Sequence, residues 1–178
     1  SSSVVTNTSV TEQTKMHPQN GRRRLQTENP TSSRFTATIY SCMWIYEDKI
    51  FEPEETFLED YQGFVYQITE LDTGMKYIGK KFFWKPKTLP VTKTRKRKVK
   101  TRVQSDWPKY FGSSQELKEA VASRGADNYK REVLKLCRTK GECYYYEAKL
   151  QFEYDVLLRD DYYNAFIGCK IHAKHLPK

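Results

Sequence analysis

Glu147 carries the clearest chemical signal in the 178-residue sequence. The run Thr139-Lys140-Gly141-Glu142 has the spacing of a capping box, in which a hydroxyl and a carboxylate each satisfy a free amide, and it predicts a helix running to about Leu158. The apolar stripe of that helix passes through Cys143, Leu150, Tyr154 and Leu157, and helical geometry puts Glu147 on the same stripe. A carboxylate facing inward must be neutralised, paired or bound to a metal, because burying it bare costs several kcal/mol. Lys149 and Glu153, by contrast, make an ordinary i,i+4 pair on the outer face. Two tyrosines supply a second set of reactive groups. The runs Gly63 to Thr69 and Met75 to Gly79 alternate, and the turn Asp72-Thr73-Gly74 joins them into a hairpin that sets Tyr66 and Tyr77 on neighbouring strands. In a chain with 13 Tyr, such a pair standing alone is most simply an aromatic packing pair.

The elements around these groups are strongly basic. Lys and Arg number 31 against 22 Asp and Glu, a formal charge of +9 that favours a polyanionic partner, with nucleic acid as the leading candidate. Between Lys80 and Ser105 there are eleven Lys or Arg and no acidic residue. Pro86 and Pro90 break regular structure there, so residues 85–105 are expected to form a basic loop. Lys93 to Lys100 has the charge density of a phosphate-gripping segment, although the same string also fits a nuclear-import signal or a solvated loop. Ser113-Ser114-Gln115-Glu116 repeats the capping-box spacing and starts a second helix, with Leu117 and Val121 inward and Gly125 ending it. A strand from about Tyr129 to Cys137 follows.

Length allows one domain and a disordered extension. Residues 1–42 are rich in Ser, Thr, Asn and Gln and lack an apolar period, so they are expected to be that extension, with Met43 a candidate natural start. No apolar run approaches the roughly 20 residues that cross a bilayer, and no secretory signal layout is present, which points to a soluble intracellular protein. Cys42, Cys137, Cys143 and Cys169 form no disulfide framework. Cys169, His172 and His175 give C-x-x-H-x-x-H, whereas structural zinc sites draw on two separated ligand pairs. The three histidines, His17, His172 and His175, give poor support to a Ser-His-Asp hydrolase, and no phosphate-binding Gly-rich loop appears.

An aromatic hairpin, a basic insertion and an inward Glu on a capped helix together suggest phosphate chemistry. Gly63-Phe64-Val65-Tyr66 and Tyr77-Ile78-Gly79 resemble the two signatures of the GIY-YIG nuclease family. The likeness is strongest to its phage-encoded SegE-like subgroup, through Met43-Trp44, the Tyr77 to Lys81 run, the basic insertion at 85–102 and the Trp107 to Ser113 segment. It covers Met43 to the C-terminus. The resemblance implies an α+β fold, a small three-stranded antiparallel sheet flanked by helices, that hydrolyses a DNA phosphodiester in the host cytoplasm if phage-encoded. It implies Glu147 as ligand of one Mg²⁺ or Mn²⁺, a hard cation suited to carboxylate and phosphate oxygens. Tyr66 or Tyr77 would activate water, as phenolates favoured by Lys80, Lys81 and the metal, with Asn164 as the family's late asparagine.

Two features depart from the family pattern. The glycine stands one residue further from Tyr66, and the family's arginine after the second motif has no obvious counterpart; Lys80, Lys81 and Lys87 compete for its electrostatic role, without an Arg fork. Tyr110 takes the place of the family's additional His or Tyr, and Asn164 reads equally well as a structural turn residue. Lys87, Lys93, Arg95, Lys96, Arg97, Lys98, Lys100 and Arg102 are the expected DNA contacts. The rival from another class is an inactive nucleic-acid-binding module that uses the same basic loop. An RNA-binding protein of ribosomal type explains the charge but not Glu147.

Overall fold

A computed structural model describes residues 43–168 and 172–176; the expected extension 1–42 and Cys169 lie outside the described residues. In chain order the elements are β1 (Trp44–Tyr46), β2 (Lys49–Ile50), α1 (Glu55–Glu59), β3 (Gly63–Glu70), β4 (Lys76–Phe82), β5 (Trp84–Leu89), β6 (Val99–Gln104), α2 (Gln115–Arg124), β7 (Tyr129–Cys137) and α3 (Lys140–Glu153). Five strands make one mixed sheet in the order β2-β1-β7-β3-β4, and β5 with β6 makes a separate ribbon. The class is α+β as expected, but the sheet is larger than three strands. The expected antiparallel trio is present as β7-β3-β4, widened by β1, which runs parallel to β7, and by β2. Three residues are too few for an alternation to show. What recruits β1 is Trp44, 2% exposed, whose ring stands edge-on to Phe64 and Tyr66 and whose Nε1 donates to the Trp107 carbonyl.

The hairpin forms as its alternation requires, with Tyr66 opposite Gly79 and Ile68 opposite Tyr77. On the other side of β3 the register shifts between Val65 and Tyr66, so that Phe64 faces Leu136 while Tyr66 faces Val133. One extra residue in β7 brings Leu136 and Val133 to the same apolar face, the usual effect of a bulge. Phe64, Tyr66, Ile68 and Tyr77 lie on that face with Phe83, Trp107 and Leu117; Val65 and Ile78 lie on the other with Cys143 of α3 and Val156.

Both capped helices are present, with corrections at their ends. Ser114, one residue later than expected, caps α2 by accepting from Leu117 N, and Gly125 ends it at φ 89°. Thr139 caps α3 as expected by accepting from Glu142 N, while the Glu142 carboxylate accepts from Arg138 N, one residue before the cap. That helix stops at Glu153, short of Leu158, because Asp155 takes a positive φ of 51° and turns Val156 back into the core. Tyr154 and Leu157 are therefore exposed, and the buried stripe runs through Cys143, Ala148 and Gln151. The Lys149–Glu153 pair is exposed as expected.

The stretch at 85–105 is no irregular loop. Trp84–Leu89 and Val99–Gln104 pair along six positions, Pro86 opposite Arg102. Both strands of a two-stranded ribbon are edges, so half their amides need no ladder partner, and Pro is tolerated there.

The outer edge of β4 is closed by the chain beyond α3. Lys76 N donates to Asp161 O, Tyr163 N donates to Lys76 O, and the Asn164 amide accepts from Ile78 N and donates to Ile78 O. Tyr163 also reaches the buried Glu70, which accepts from Thr73 and pairs with Arg124. Burial alone would raise the Glu70 pKa; hydrogen bonds from Arg124, Tyr163 and Thr73 hold it below the ordinary carboxylate value. Among the described residues no helix is long and apolar enough to cross a membrane.

Candidate active site

Strand β4 ends the sheet and presents side chains to both of its faces, and the candidate site is built across its edge beyond the Asn164 clamp on Ile78. Tyr77 and Lys81 fall on the Trp44 face, Ile78 and Lys80 on the α3 face, and Gly79 stands between them without a side chain. The glycine has a physical cause. A Cβ at position 79 would lie 2.6 Å from the Tyr66 hydroxyl and 2.9 Å from Tyr77 Cε1, so the tyrosines can close over the strand only if nothing projects there.

Glu147 is directed to this edge as its helical position predicts. Its side chain is 14% exposed, and Oε2 accepts from Lys80 Nζ at 2.6 Å. The inward carboxylate is thus paired within the chain, and the Lys80 ammonium also sits 4.2 Å over the Tyr144 ring. Lys81 pairs with Asp106 at 2.8 Å and lies 3.8 Å over the Tyr110 ring. Both lysines are therefore held by carboxylates on opposite sides of the strand. Neither pairing involves a tyrosine hydroxyl.

Two cavities flank the strand edge and share Lys80, Ser113 and Glu147. One, of about 560 Å³, adds Tyr77, Gln151 and Asn164; the other, of about 400 Å³, adds Lys81, Tyr110, Asp106 and Lys85. They are two halves of one cleft. Of the residues expected at the site, Tyr77, Lys80, Lys81, Tyr110, Glu147 and Asn164 come together here. Tyr66 does not line either cavity; it is fully buried below Gly79, and its hydroxyl has no hydrogen-bond partner among the described residues. Lys87 also lies outside the cleft, exposed on the ribbon with Lys93, Lys96, Arg97, Lys98, Lys100 and Arg102, while Arg95 is half-buried by a bond to the Pro90 carbonyl. Among the competing lysines, only Lys80 and Lys81 are placed to act in the cleft.

The electrostatics run against the expected phenolates. Burial pushes Tyr66 well above the usual phenol pKa, and the neighbouring Tyr110 and Tyr77 add to the shift. Burial also raises Tyr77, partly opposed by the hydrogen bond it shares with Ser113 Oγ at 2.8 Å. At neutral pH both phenols keep their protons.

Asn164 serves first as a clamp on Ile78, in the structural role that its sequence left open. Three contributors were not read from the sequence. Ser113, taken for a helix cap, is the hydrogen-bond partner of Tyr77. Gln151 donates to Ile78 O, and its position one turn after Glu147 was the available signal. Arg131, 1% exposed between Phe111 and Trp44, donates to the Pro108 and Tyr110 carbonyls and so fixes the loop that presents Tyr110. A charged residue in the middle of a strand gives no hint of that reach.

Among the described residues no three His, Cys, Asp or Glu side chains converge as a metal cage. The donor set is one carboxylate, Glu147, which lines the cavity with Oε2 paired to Lys80. That suits a cation such as Mg²⁺, which keeps several waters and takes its other ligands from phosphate, and it does not suit Zn²⁺ or Ca²⁺.

No curated protein and no solved structure gives a match to the chain. One family model does, described as "Putative endonuclease segE, GIY-YIG domain", over residues 44–167. A match that runs from the first strand past Asn164 takes in both tyrosine motifs, the ribbon and the helix of Glu147, and the chain belongs to the SegE-type GIY-YIG nuclease family.

Proposed function

We propose that the protein is a metal-dependent endonuclease that hydrolyses a phosphodiester of DNA in the cleft along β4. The observation that carries this reading is the convergence of Tyr77, Lys80, Ser113 and Glu147 on one cavity. Glu147 Oε1 would hold a single Mg²⁺ or Mn²⁺, which supplies charge neutralisation to the phosphate and the departing oxygen. Lys80 and Lys81 bring positive charge to the same cleft and attract the scissile phosphate. A protonated phenol is a poor base unless it gives up its own proton as it takes another. Ser113 Oγ could take that proton only by losing its own, so the 2.8 Å hydrogen bond would instead fix Tyr77 where its hydroxyl orients the attacking water. Tyr66, behind Gly79, orients Tyr77 by packing at 6.2 Å between ring centres.

The decisive experiment is nicking of supercoiled plasmid with and without Mg²⁺. Glu147→Ala is expected to abolish the metal-dependent cut while leaving fold and DNA binding intact; equal cleavage by that variant would remove Glu147 from the centre. One observation favours the inactive-module alternative, since Lys80 already satisfies Oε2 of the carboxylate. That alternative predicts salt-sensitive DNA binding and no cleavage with any divalent ion.

A further inference from the structure

The ribbon of β5 and β6 is the least supported part of the molecule. Beyond Trp84 none of the residues on either strand is buried among the described residues. A lone two-stranded ribbon is marginally stable, and this one also carries a crowd of like charges. Only its base is fixed. Trp84 Nε1 donates to the Leu58 and Tyr61 carbonyls, and Arg102 stacks 4.4 Å over the Trp84 ring and donates to Glu59 O.

The register sorts the ribbon into two unlike faces, because residues directly opposite in an antiparallel pair share a face. Trp84, Pro86, Arg102 and Gln104 lie on the face anchored to the body. The other face carries Lys85, Lys87 and Leu89 against Val103, Thr101 and Val99. Lys85 lines the cleft with Lys80 and Glu147, as do Trp84 and Pro86, so the base of the ribbon continues the surface on which the substrate lies, and the second face is the one not anchored to the body.

We infer that the Lys85 and Thr101 face of the ribbon enters the major groove of B-form duplex DNA beside the cleaved phosphate and reads bases there. This rests on the nuclease reading above for its choice of polymer. Three physical matches support it. Six residues per strand give a ribbon about 20 Å long, and a two-stranded ribbon fits the major groove, about 12 Å wide, but not the minor groove, about 6 Å wide. The face combines ammonium donors suited to guanine O6 and N7 with Thr and Val methyls suited to the thymine methyl group. The connecting tip, with Lys93, Lys96, Arg97 and Lys98, then meets the flanking phosphates. A-form RNA is excluded by its deep, narrow major groove.

The test uses the full chain, EDTA to prevent cutting, and a labelled DNA duplex of randomised sequence. Methyl green, a major-groove ligand, is expected to displace the protein, and the minor-groove ligand netropsin is not. The variant Lys85→Ala/Lys87→Ala/Thr101→Ala is expected to bind about tenfold or more weakly and, after selection from the random pool, to lose the sequence preference of the unmodified protein. Displacement by netropsin alone, equal binding to an RNA duplex, or unchanged affinity and preference in the triple variant would each overturn the assignment. Plasmid nicking is scored separately. Major-groove binding without metal-dependent cleavage removes the nuclease reading and leaves the ribbon; cleavage with minor-groove binding does the reverse.

Discussion

The cleft and the ribbon hold their cations in opposite ways. In the cleft Lys80 and Lys81 each have a carboxylate within 2.8 Å, and both lysines are largely buried. Along the ribbon none of the cations takes part in a salt bridge among the described residues, and most are exposed. A cation removed from water must be matched, and matching fixes its position before substrate arrives. An exposed cation keeps its mobile counterions, whose release on meeting a polyanion drives association. On the proposed function, one region would serve chemistry and the other capture.

The contrast can be broken from either side. The largest effect is expected for Glu147→Gln, which leaves Lys80 without its partner and should lower the cleavage rate about a thousandfold while the binding constant hardly changes. Replacing Lys93, Lys96, Arg97 and Lys98 by Ala should do the opposite. Affinity falls, and the slope of log K against log salt shrinks by roughly one for each phosphate contact removed, while cleavage at saturating protein and the melting temperature hold. If the melting temperature drops with the charge, the ribbon tip is structural after all.

Gly79→Ala tests whether the cleft depends on packing as well as charge. Its new Cβ would strike the Tyr66 hydroxyl at 2.6 Å, and a cost of about 1–3 kcal/mol in denaturant unfolding is expected together with lost cleavage. Ser113→Ala should slow cleavage about tenfold without moving substrate affinity, and Ser113→Thr should restore part of the rate. The smallest effect concerns acid. Glu70 has a lowered pKa in the folded chain, so its contribution to stability is present above the usual carboxylate value and is lost as pH falls through the folded one. Glu70→Gln should flatten the melting temperature between about pH 5 and pH 3.

Much of the fold was legible because local rules and global packing agree. The hairpin, the strand Tyr129–Cys137, the Thr139 cap and the Gly125 stop all follow from alternation, capping and positive φ. β1 was not legible, because a three-residue strand held by one buried tryptophan has no period. The ribbon was missed because Pro and like charges argue against strands in a covered sheet and say little about an isolated pair. At the site, Glu147 was found from helical spacing alone. Lys80 was named as a candidate too, but its pairing with Glu147 was not, since it spans 67 residues. Ser113 was assigned to the wrong task because two adjacent serines offered the same cap, and only the tertiary contact with Tyr77 separates them.

The Asn164 clamp has a consequence in time. Ile78 must wait for a residue 86 positions later to satisfy its outer amide and carbonyl. The edge strand that floors the cleft is therefore finished only after most of the domain has been made. A chain still emerging from the ribosome would hold its basic ribbon, ready to bind nucleic acid, well before the cleft is closed along its edge. On the proposed function, capture would precede the capacity to cut, in the order set by which residues meet last.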